Sequence, residues 1–347
     1  MQTIVRKFLR ISRPSVTNRR ILFIHQGARN FFEKDIAILR EICEVEAVDN
    51  FPPSPAKIPS LLKGILTRDV VFIWFMGRHA VLPLVLSRIF KKKVILVAGG
   101  WDVANCPEIG YGLMRPGLKA VLAKWLFKIP DVIISVSESN RKESFKNAGV
   151  HPEKSRLVYH GFEGGESLSG LCPAQDGRIG VITIGEINQS NLKRKGLEQF
   201  VRLAAHFPDV PFVLTGRWAS DGAIEFLKKI ATPNVQFTGF LADTELKKYL
   251  SKAKVYAQLS YHEAFGCALA EAMLHGCVPV ATTQYALPEV VQGAGYLVPF
   301  GDISATVDAI RKALSDIDSG KKARQRILHN FPLEKRRREL TSVIENF

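Results

Sequence analysis

Short apolar runs alternate with stretches of helical length along most of the chain. In the first half these runs are continuously apolar, as expected for strands of a parallel sheet that helices cover on both faces. They are residues 21–25, 45–48, 70–75, 94–98, 132–137 and 156–160, and helical segments such as 32–42, 78–90 and 116–128 separate most of them. The pattern predicts a doubly wound, mostly parallel sheet.

A second series of the same kind follows a change in composition. Residues 161–177 are rich in Gly, Ser and Glu, which is typical of a linker. Beyond them, strands are predicted at 179–185, 211–216, 235–239, 255–260, 278–282 and 296–300. We therefore predict two Rossmann-like domains that face each other across a cleft, at 1–165 and 179–330, with a linker at 166–178 and a final helix at 331–347 that can cross back to the first domain. Ligands bind such sheets at the carboxyl ends of the strands, so the cleft is the predicted site.

Composition supports two packed domains and adds an uneven charge. The chain has 347 residues, of which 46% are apolar, so a sizeable core can be buried and wholesale disorder is excluded. The formal net charge is +15, and residues up to Cys172 hold 26 Lys and Arg against 15 Asp and Glu. Such a balance favours an anionic partner, which can be a membrane surface, nucleic acid or a phosphorylated substrate.

Cysteine usage and hydropathy indicate a cytoplasmic protein. The five cysteines lie far apart and form no Cys-x-x-Cys pair, which argues against a zinc knuckle, a redox pair or a disulfide scaffold. The first twenty residues are basic but lack the apolar stretch of a secretory signal. No uncharged apolar run reaches about 18 residues, so no transmembrane helix is predicted.

Two glutamates flank a predicted helix N-terminus. Glu263 lies in the loop after the strand at 255–260, and Glu271 lies in the first turns of the helix at 267–276. The backbone amides around Phe265 and Gly266 are free to bind an anion, and Gly266 permits its close approach. A diphosphate bound there would have Glu263 on one side and Glu271, within reach of a ribose diol, on the other. The simpler alternative is a loop acid and an exposed helix carboxylate.

This stretch closely resembles the donor-site motif of glycosyltransferase family 4. That motif has two glutamates with seven residues between them, Phe-Gly after the first, Glu-Ala-Met at the second and Gly-x-Pro-Val behind, as at Phe265-Gly266, Glu271 to Met273 and Gly276 to Val280. The resemblance is strong over 179–302 and weak before it. It implies the GT-B fold and retaining sugar transfer from a nucleotide-diphosphate sugar. It also implies that Glu271 holds the nucleotide ribose and that Glu263 contacts the transferred sugar near the reacting carbon.

Residues 183–201 fit the same family with one departure. Lys195-Gly196 match its Lys-Gly at a helix start, whereas Gly185-Glu186 stand where the family has Gly-Arg. We expect Arg194 or Lys193 to supply the second cation, because basic groups beside a helix N-terminus stabilise a leaving diphosphate. A solvated run of charge is the alternative for these basic residues. Residues 286–302 also resemble a family segment, in which Glu289 is expected to be a helix-start carboxylate.

The first half offers weaker candidates. Residues 131–142 fit the family's serine segment at a sheet end. Gly99-Gly100 stand where many relatives have a histidine, so Asp102 is the acceptor-side candidate, as a base or a ligand of a sugar hydroxyl; a turn or helix-capping role is the alternative. Gly27 follows the first strand and can let the backbone approach the donor, although such a glycine is common in Rossmann-like domains.

Two basic, apolar helices suggest a membrane surface. Residues 116–128 and 78–93 combine apolar residues at helical spacing with lysines or arginines, as do helices that lie in an anionic bilayer surface. Ordinary helices that pack on the sheet fit the same pattern. The basic residues 1–13 fit either a peripheral anchor or a disordered arm.

We therefore expect a retaining glycosyltransferase that acts on a glycan, lipid-linked or polysaccharide acceptor, in the cytoplasm or at the inner face of the cell membrane. The alternatives are an epimerase or phosphorylase of the same fold, a catalytically inactive nucleotide-sugar binder, or a nucleic-acid-binding protein. The last would need aromatic and basic residues interleaved on a sheet, or a recognition helix, and neither is found. The triplet Asp316-Ile317-Asp318 ends a helical stretch instead of following a strand, so neither a metal nor another cofactor is expected.

Overall fold

The computed structural model describes residues 18–27, 30–164 and 177–346. In the N-terminal domain, all six apolar runs form strands, and helices connect most of them. The elements are β1 (Arg20–His25), α1 (Asn30–Arg40), β2 (Glu44–Asp49), α2 (Ile58–Thr67), β3 (Val70–Trp74), α3 (Arg78–Ile89), β4 (Lys93–Ala98), α4 (Leu118–Leu126), β5 (Val132–Ser135), α5 (Glu138–Ala148) and β6 (Ser155–Leu157). The strands are parallel, in the order β2-β1-β3-β4-β5-β6.

The C-terminal domain repeats this architecture. Its elements are β7 (Val181–Ile184), α6 (Gln189–Arg194), α7 (Leu197–Leu203), β8 (Phe212–Thr215), α8 (Ala223–Ile230), β9 (Val235–Gly239), α9 (Asp243–Lys252), β10 (Val255–Gln258), α10 (Cys267–Leu274), β11 (Val278–Thr282), α11 (Leu287–Val291), β12 (Tyr296–Val298), α12 (Ile303–Ser315), α13 (Ser319–Asn330) and α14 (Leu333–Glu345). The parallel order is β12-β11-β10-β7-β8-β9. All six predicted strands are therefore present. Four of them end one or two residues earlier than the apolar runs, whereas β9 and β11 end where the runs do.

The order of the strands determines where a ligand can enter each sheet. Each sheet has one switch point, from which successive strands are added in opposite directions across the sheet. It lies between β1 and β3 in the first sheet and between β7 and β10 in the second. At such a switch point the loops at the carboxyl ends of the two strands lead to opposite faces and leave a crevice. The loops after β7 and β10 hold Gly185 and Glu263, so two separate parts of the sequence motif meet at one crevice.

Helix α14, which follows the C-terminal sheet in sequence, packs on the N-terminal domain. It lies against α1, and the Arg336 guanidinium contacts the Asp35 carboxylate through two nitrogens at 2.6 and 2.7 Å. Both side chains are almost fully buried, and Trp74 Nε1 also donates to Asp35 at 2.9 Å. Buried charges require this kind of paired and hydrogen-bonded setting. The last helix thus packs into the first domain.

Two of the predicted segments lie outside the described residues: the basic residues 1–13 and most of the predicted linker, from 166 to 176. Within the described ranges, no helix combines the length and the apolar character that crossing a bilayer needs. The predicted helix at 116–128 is shorter in the structure, since Gly117 adopts a φ of +147° and α4 begins only at Leu118.

Candidate active site in the interdomain cleft

A cleft of about 820 Å³ lies between the two domains, at the carboxyl ends of their strands. Its C-terminal wall consists of the loop after β7, helix α6, and the segment that runs from the end of β10 into α10. Its N-terminal wall consists of the loops after β1, β2, β3 and β4. Six of the predicted site residues in the C-terminal domain line it together: Gly185, Arg194, Lys195, Glu263, Phe265 and Gly266.

Lys195 and Glu263 form an ion pair in this cleft. The distance from Lys195 Nζ to Glu263 Oε1 is 2.5 Å, and the two side chains are 18% and 11% exposed. Burial alone would raise the pKa of Glu263, but the charges of Lys195 and Arg194 and the hydrogen bonds to the carboxylate outweigh it, so the pKa lies below its usual value. The cleft therefore holds a carboxylate that stays ionised beside a cation.

Gly196 allows the lysine to approach the glutamate. It adopts a φ of +66°, and a Cβ atom there would lie 2.2 Å from the carbonyl oxygen of Leu259, next to the end of β10. Any larger residue would push the turn between α6 and α7 away from β10. The Lys-Gly pair of the motif thus has a physical basis, since the glycine brings the backbone close and the lysine crosses to the carboxylate.

Arg194, not Lys193, adds the second positive charge of the cleft. The carboxamide oxygen of Asn191 accepts hydrogen bonds from Arg194 Nε and Nη2 at 3.0 and 2.6 Å, and the guanidinium lies 4.9 Å from the centre of the Tyr111 ring in the N-terminal domain. Lys193 is exposed and does not line the cleft; its Nζ lies 3.5 Å from the carbonyl oxygen of Glu108. Glu186, in place of the family's arginine, is exposed at the cleft wall.

The N-terminus of α10 opens into the same cleft. Gly266 precedes the helix with a φ of +98°, and Cys267 and Ala268 at its start line the cleft. The first amides of a helix have no acceptor within the helix and carry partial positive charge, so they are suited to bind an anion. Together with Lys195 and Arg194 they make this end of the cleft attractive to a phosphate group.

Glu271 lies one turn further along α10 and is half-buried. Burial raises the pKa of its carboxyl group, and the charges of Lys34, Asp243 and Lys247 act on it with smaller effects. Among the described residues, none donates a hydrogen bond to this carboxylate. Glu271 does not line the cleft, but its half-buried carboxylate is an acceptor that a ligand hydroxyl can use, on the side of α10 that faces helices α1 and α9.

The motif position of Phe265 suggested contact with the donor, whereas its ring packs mainly against other aromatic side chains. Its ring is buried and packs against aromatic residues from both sides of the domain boundary: Tyr159, His160, Phe162 and Phe331. The ring therefore stabilises the junction between the domains, although the residue borders the cleft. The sequence assigned it to donor binding because contacts between domains leave no local pattern.

Asp102 borders the cleft, but its carboxylate is turned toward the backbone. It is 1% exposed and accepts hydrogen bonds from the amides of Met76, Gly99 and Gly100, at 3.0, 3.1 and 2.9 Å. Burial raises its pKa to about 6, and these amides partly offset the effect. This geometry favours the turn role, in which Asp102 joins the loops after β3 and β4, over the expected role as a base or ligand for the acceptor.

Two other residues that the sequence analysis considered, Gly27 and Asp316, do not line the cleft. Gly27 has a φ of +65° and its amide donates to Asp49 at 3.1 Å, whereas its neighbour Gln26 lines the cleft. Asp316 lies between α12 and α13, where its carboxylate accepts from Tyr296 Oη at 2.8 Å and from the amide of Ser319 at 2.8 Å. In the described part of the chain, no group of three or more His, Cys, Asp or Glu side chains is arranged to hold a metal ion.

Several contacts between the domains were not predicted. His262 Nε2 lies 3.0 Å from both oxygens of Glu143, and Ser137 Oγ donates to the carbonyl oxygen of Ala264 at 2.6 Å. Glu289, expected to serve its own helix, instead accepts from the amides of Glu138 and Ser139 in the other domain. Long separation in sequence hides such pairs, and the position of His262 next to Glu263 was the one available signal.

The C-terminal domain is similar to known glycosyltransferases. The family model of glycosyl transferases group 1 matches residues 182–329. An uncharacterised 41.2 kDa protein in the cps region of Klebsiella pneumoniae is 28% identical over 194 residues, or 53% of this chain and 52% of that protein. The O-antigen chain mannosyltransferase B of Escherichia coli is 28% identical over 109 residues, or 30% of this chain and 29% of that protein. The chain thus spans about half the length, or less, of these two relatives.

Solved structures share the fold over both domains. HepE from Anabaena, in complex with UDP and glucose, has a TM-score of 0.76 at 18% identity and covers 95% of this chain and 100% of its own. Sucrose-phosphate synthase from Thermosynechococcus elongatus has a TM-score of 0.74 at 16% identity and covers 95% and 99%. These similarities confirm the GT-B fold that the resemblance predicted.

Proposed function

We propose that this protein is a retaining glycosyltransferase of family 4, which transfers a sugar from a nucleotide-diphosphate sugar to a glycan, lipid-linked or polysaccharide acceptor. The observation that carries the proposal is the Lys195–Glu263 pair beside the N-terminus of α10, at the switch point between β7 and β10. The match of residues 182–329 to glycosyl transferases group 1 supports the class of reaction. Retention of configuration follows from the family resemblance.

The donor would occupy the C-terminal wall. Its diphosphate fits the amides at the start of α10, where Lys195 and Arg194 stabilise the charge that develops on the leaving group. Lys195 can exchange its contact with Glu263 for a phosphate oxygen, which leaves the Glu263 carboxylate beside the transferred sugar. Glu271 accepts the hydroxyl hydrogens of the ribose. This arrangement accounts for the donor charge with protein groups, and we propose that transfer needs no divalent metal.

The acceptor would occupy the N-terminal wall. That wall presents two large aromatic side chains that remain about half exposed, Phe51 after β2 and Trp101 after β4. Arg78, at the start of α3, is exposed on the same wall. Aromatic faces suit the apolar face of a sugar ring, and polar groups beside them fix its orientation. The wall is therefore suited to a glycan acceptor.

We also propose that the protein associates peripherally with an anionic membrane at the inner face of the cell, through helix α4. Its side chains Leu118, Val121, Leu122 and Trp125 are spaced along one face and are 89%, 67%, 54% and 56% exposed. Arg115, Lys119 and Lys124 are exposed around them. An exposed apolar stripe bordered by cations suits a bilayer with anionic lipids. Helix α3 is a weaker candidate, because it buries Ala80, Pro83 and Leu84.

An assay with a pool of sugar nucleotides tests the activity. We expect one donor to raise the melting temperature, because binding to the folded state stabilises it, and the same donor to be consumed with release of nucleoside diphosphate when a glycan acceptor is present. Epimerisation of the donor or phosphorolysis of a glycan would support the alternatives of the same fold. Donor binding without turnover would indicate an inactive binder, and a salt-dependent shift of nucleic acid would contradict the proposal.

A further inference from the structure

A row of buried polar side chains runs along β10 toward Glu263. Tyr256, Gln258 and Ser260 share one face of the strand and its extension and are 0%, 1% and 0% exposed, whereas Val255, Ala257 and Leu259 on the other face are apolar and equally buried. Buried polar groups cost free energy unless they are hydrogen-bonded, and an all-apolar strand would have satisfied the fold. The row therefore calls for a reason other than packing.

The hydrogen bonds in this row have one direction. The amide of Ile184 donates to Tyr256 Oη at 3.3 Å, so the hydroxyl hydrogen is free to donate to Gln258 Oε1 at 3.1 Å. Gln258 Nε2 then donates to Ser260 Oγ at 2.6 Å and to Glu263 Oε1 at 3.1 Å. An ionised carboxylate can only accept, which fixes the orientation of the carboxamide.

Three donors meet at one oxygen of Glu263. Besides Gln258, Oε1 accepts from Ser260 Oγ at 2.9 Å and from Lys195 Nζ at 2.5 Å. Within the described residues, Oε2 accepts no hydrogen bond. The carboxylate is thus held by one oxygen while the other remains for a ligand in the cleft.

We infer that Gln258 is a positioning residue, which together with Ser260 fixes the rotation of the Glu263 carboxylate so that Oε2 is presented to the transferred sugar. This inference rests on the proposed function. If Lys195 turns from Glu263 to the donor diphosphate, Gln258 and Ser260 keep Oε1 in place without it. Tyr256 acts one step further back, because its hydroxyl prevents the carboxamide of Gln258 from flipping.

The substitution Gln258→Met tests the inference, because methionine has a similar length and no N–H group. We expect kcat to fall about tenfold or more, as is usual for misplaced reacting groups, while the donor KM stays near that of the wild type. The melting temperature should fall somewhat, because the buried Tyr256 hydroxyl loses its acceptor. Gln236→Met is the matched control, because Gln236 is exposed on β9 and bonds only to Tyr249 in the described structure. It should leave kcat unchanged.

A double-mutant cycle separates positioning from a structural role. In a Glu263→Gln background, Gln258→Met should cause little further loss, because both changes act through the same carboxylate. Should Gln258→Met fail to fold, Tyr256→Phe replaces it in the same cycle. Normal kcat in Gln258→Met and Tyr256→Phe, or an additive loss in the cycle, would overturn the inference. The proposed function would still stand in that case, provided that the wild type transfers sugar. A wild type that transfers none with any donor would overturn both.

Discussion

Both carboxylate oxygens of Glu289 lie 3.1 Å from the backbone nitrogen of Glu138, across the boundary between the domains. Glu289 belongs to α11 of the C-terminal domain, and Glu138 begins α5 of the N-terminal domain. A carboxylate at a helix N-terminus satisfies free amides and interacts favourably with the helix dipole. Tyr159 Oη also donates to Glu289, so one side chain fastens the two domains beside the cleft.

Replacement of Glu289 by alanine should weaken the contact between the two domains beside the cleft. Loss of such a cap costs about 1 kcal/mol, which we expect to appear as a larger radius of gyration in small-angle scattering and a severalfold lower transfer rate. Glu198→Ala is the control, since that carboxylate pairs with Arg202 within α7. If scattering and rate both match the wild type, the contact does not control closure.

The lysines at 193 and 195, near the C-terminal end of α6, should differ sharply in their effect on transfer. Lys195→Ala removes the cation paired with Glu263 and should lower the transfer rate by about 10²–10³, as for other groups that stabilise developing charge. Lys193→Ala should change it less than about twofold, because Lys193 does not line the cleft. The measurement is kcat with the identified donor. Similar effects at both positions would refute the assignment of Lys195.

The glutamates of the motif should respond to pH with opposite signs. The pKa of Glu263 is lowered, so its charge contributes stability above the usual value near 4.5, and this contribution is lost as pH falls through the folded-state pKa. The pKa of Glu271 is raised by burial, so the folded state loses stability as pH rises from about 4.5 through the folded-state pKa.

At neutral pH, Glu271→Gln should therefore raise the melting temperature, and Glu263→Gln should lower it. Both differences should shrink as pH falls below the usual carboxyl range. Both variants should also lose activity, because each removes a carboxylate that the proposed function assigns to donor binding or to the transferred sugar. Melting curves between pH 3 and 8 provide the measurement, and differences of equal sign would contradict the pKa directions.

Transfer should persist without a divalent metal. We expect the initial rate after exhaustive EDTA treatment to equal the rate with added magnesium or manganese. The double variant Asp316→Ala, Asp318→Ala should lose about 1 kcal/mol of stability while its rate is retained. The hydrogen bonds of Asp316 lower its pKa to about 2 despite partial burial, which fits a structural acceptor. If transfer strictly requires a metal, and the double variant loses this metal-dependent activity, the proposed donor site is wrong.

Membrane binding should depend on the exposed face of α4. We expect wild-type protein to sediment with vesicles that contain anionic lipid, less as salt rises, since each basic residue near the surface contributes about 1 kcal/mol. The variant Leu122→Gln, Trp125→Gln should bind weakly. Ile317→Gln is the control, because Ile317 is 62% exposed in the other domain. Equal binding to neutral and anionic vesicles would contradict the proposal and would indicate that these lysines only keep the protein soluble.

The sequence was most informative where the chemistry is local. Apolar runs located the twelve strands of the described residues, and the motif identified Lys195, Glu263 and Gly266, which line the same cleft. Its choice between Arg194 and Lys193 stayed open, because it depends on which way each side chain leaves the last turn of α6.

Contacts between the domains could not be predicted. The partners Glu289 and Glu138 are 151 positions apart, and Glu143 and His262 are 119 apart. Neither pair leaves a periodicity that a single chain reveals. For the same reason the packing role of Phe265 was not predicted, since its ring lies at a junction that exists only once both domains are folded.

The return of α14 to the first domain has a consequence for the order of events at the ribosome. Asp35 is synthesised 301 residues before Arg336, its buried partner. Domains usually fold as they emerge, the N-terminal one first. Here the nascent first domain holds a carboxylate that no arginine covers until Arg336 has been synthesised, and an unpaired buried charge is strongly destabilising. The N-terminal domain is therefore complete only after the sheet of the C-terminal domain has been synthesised.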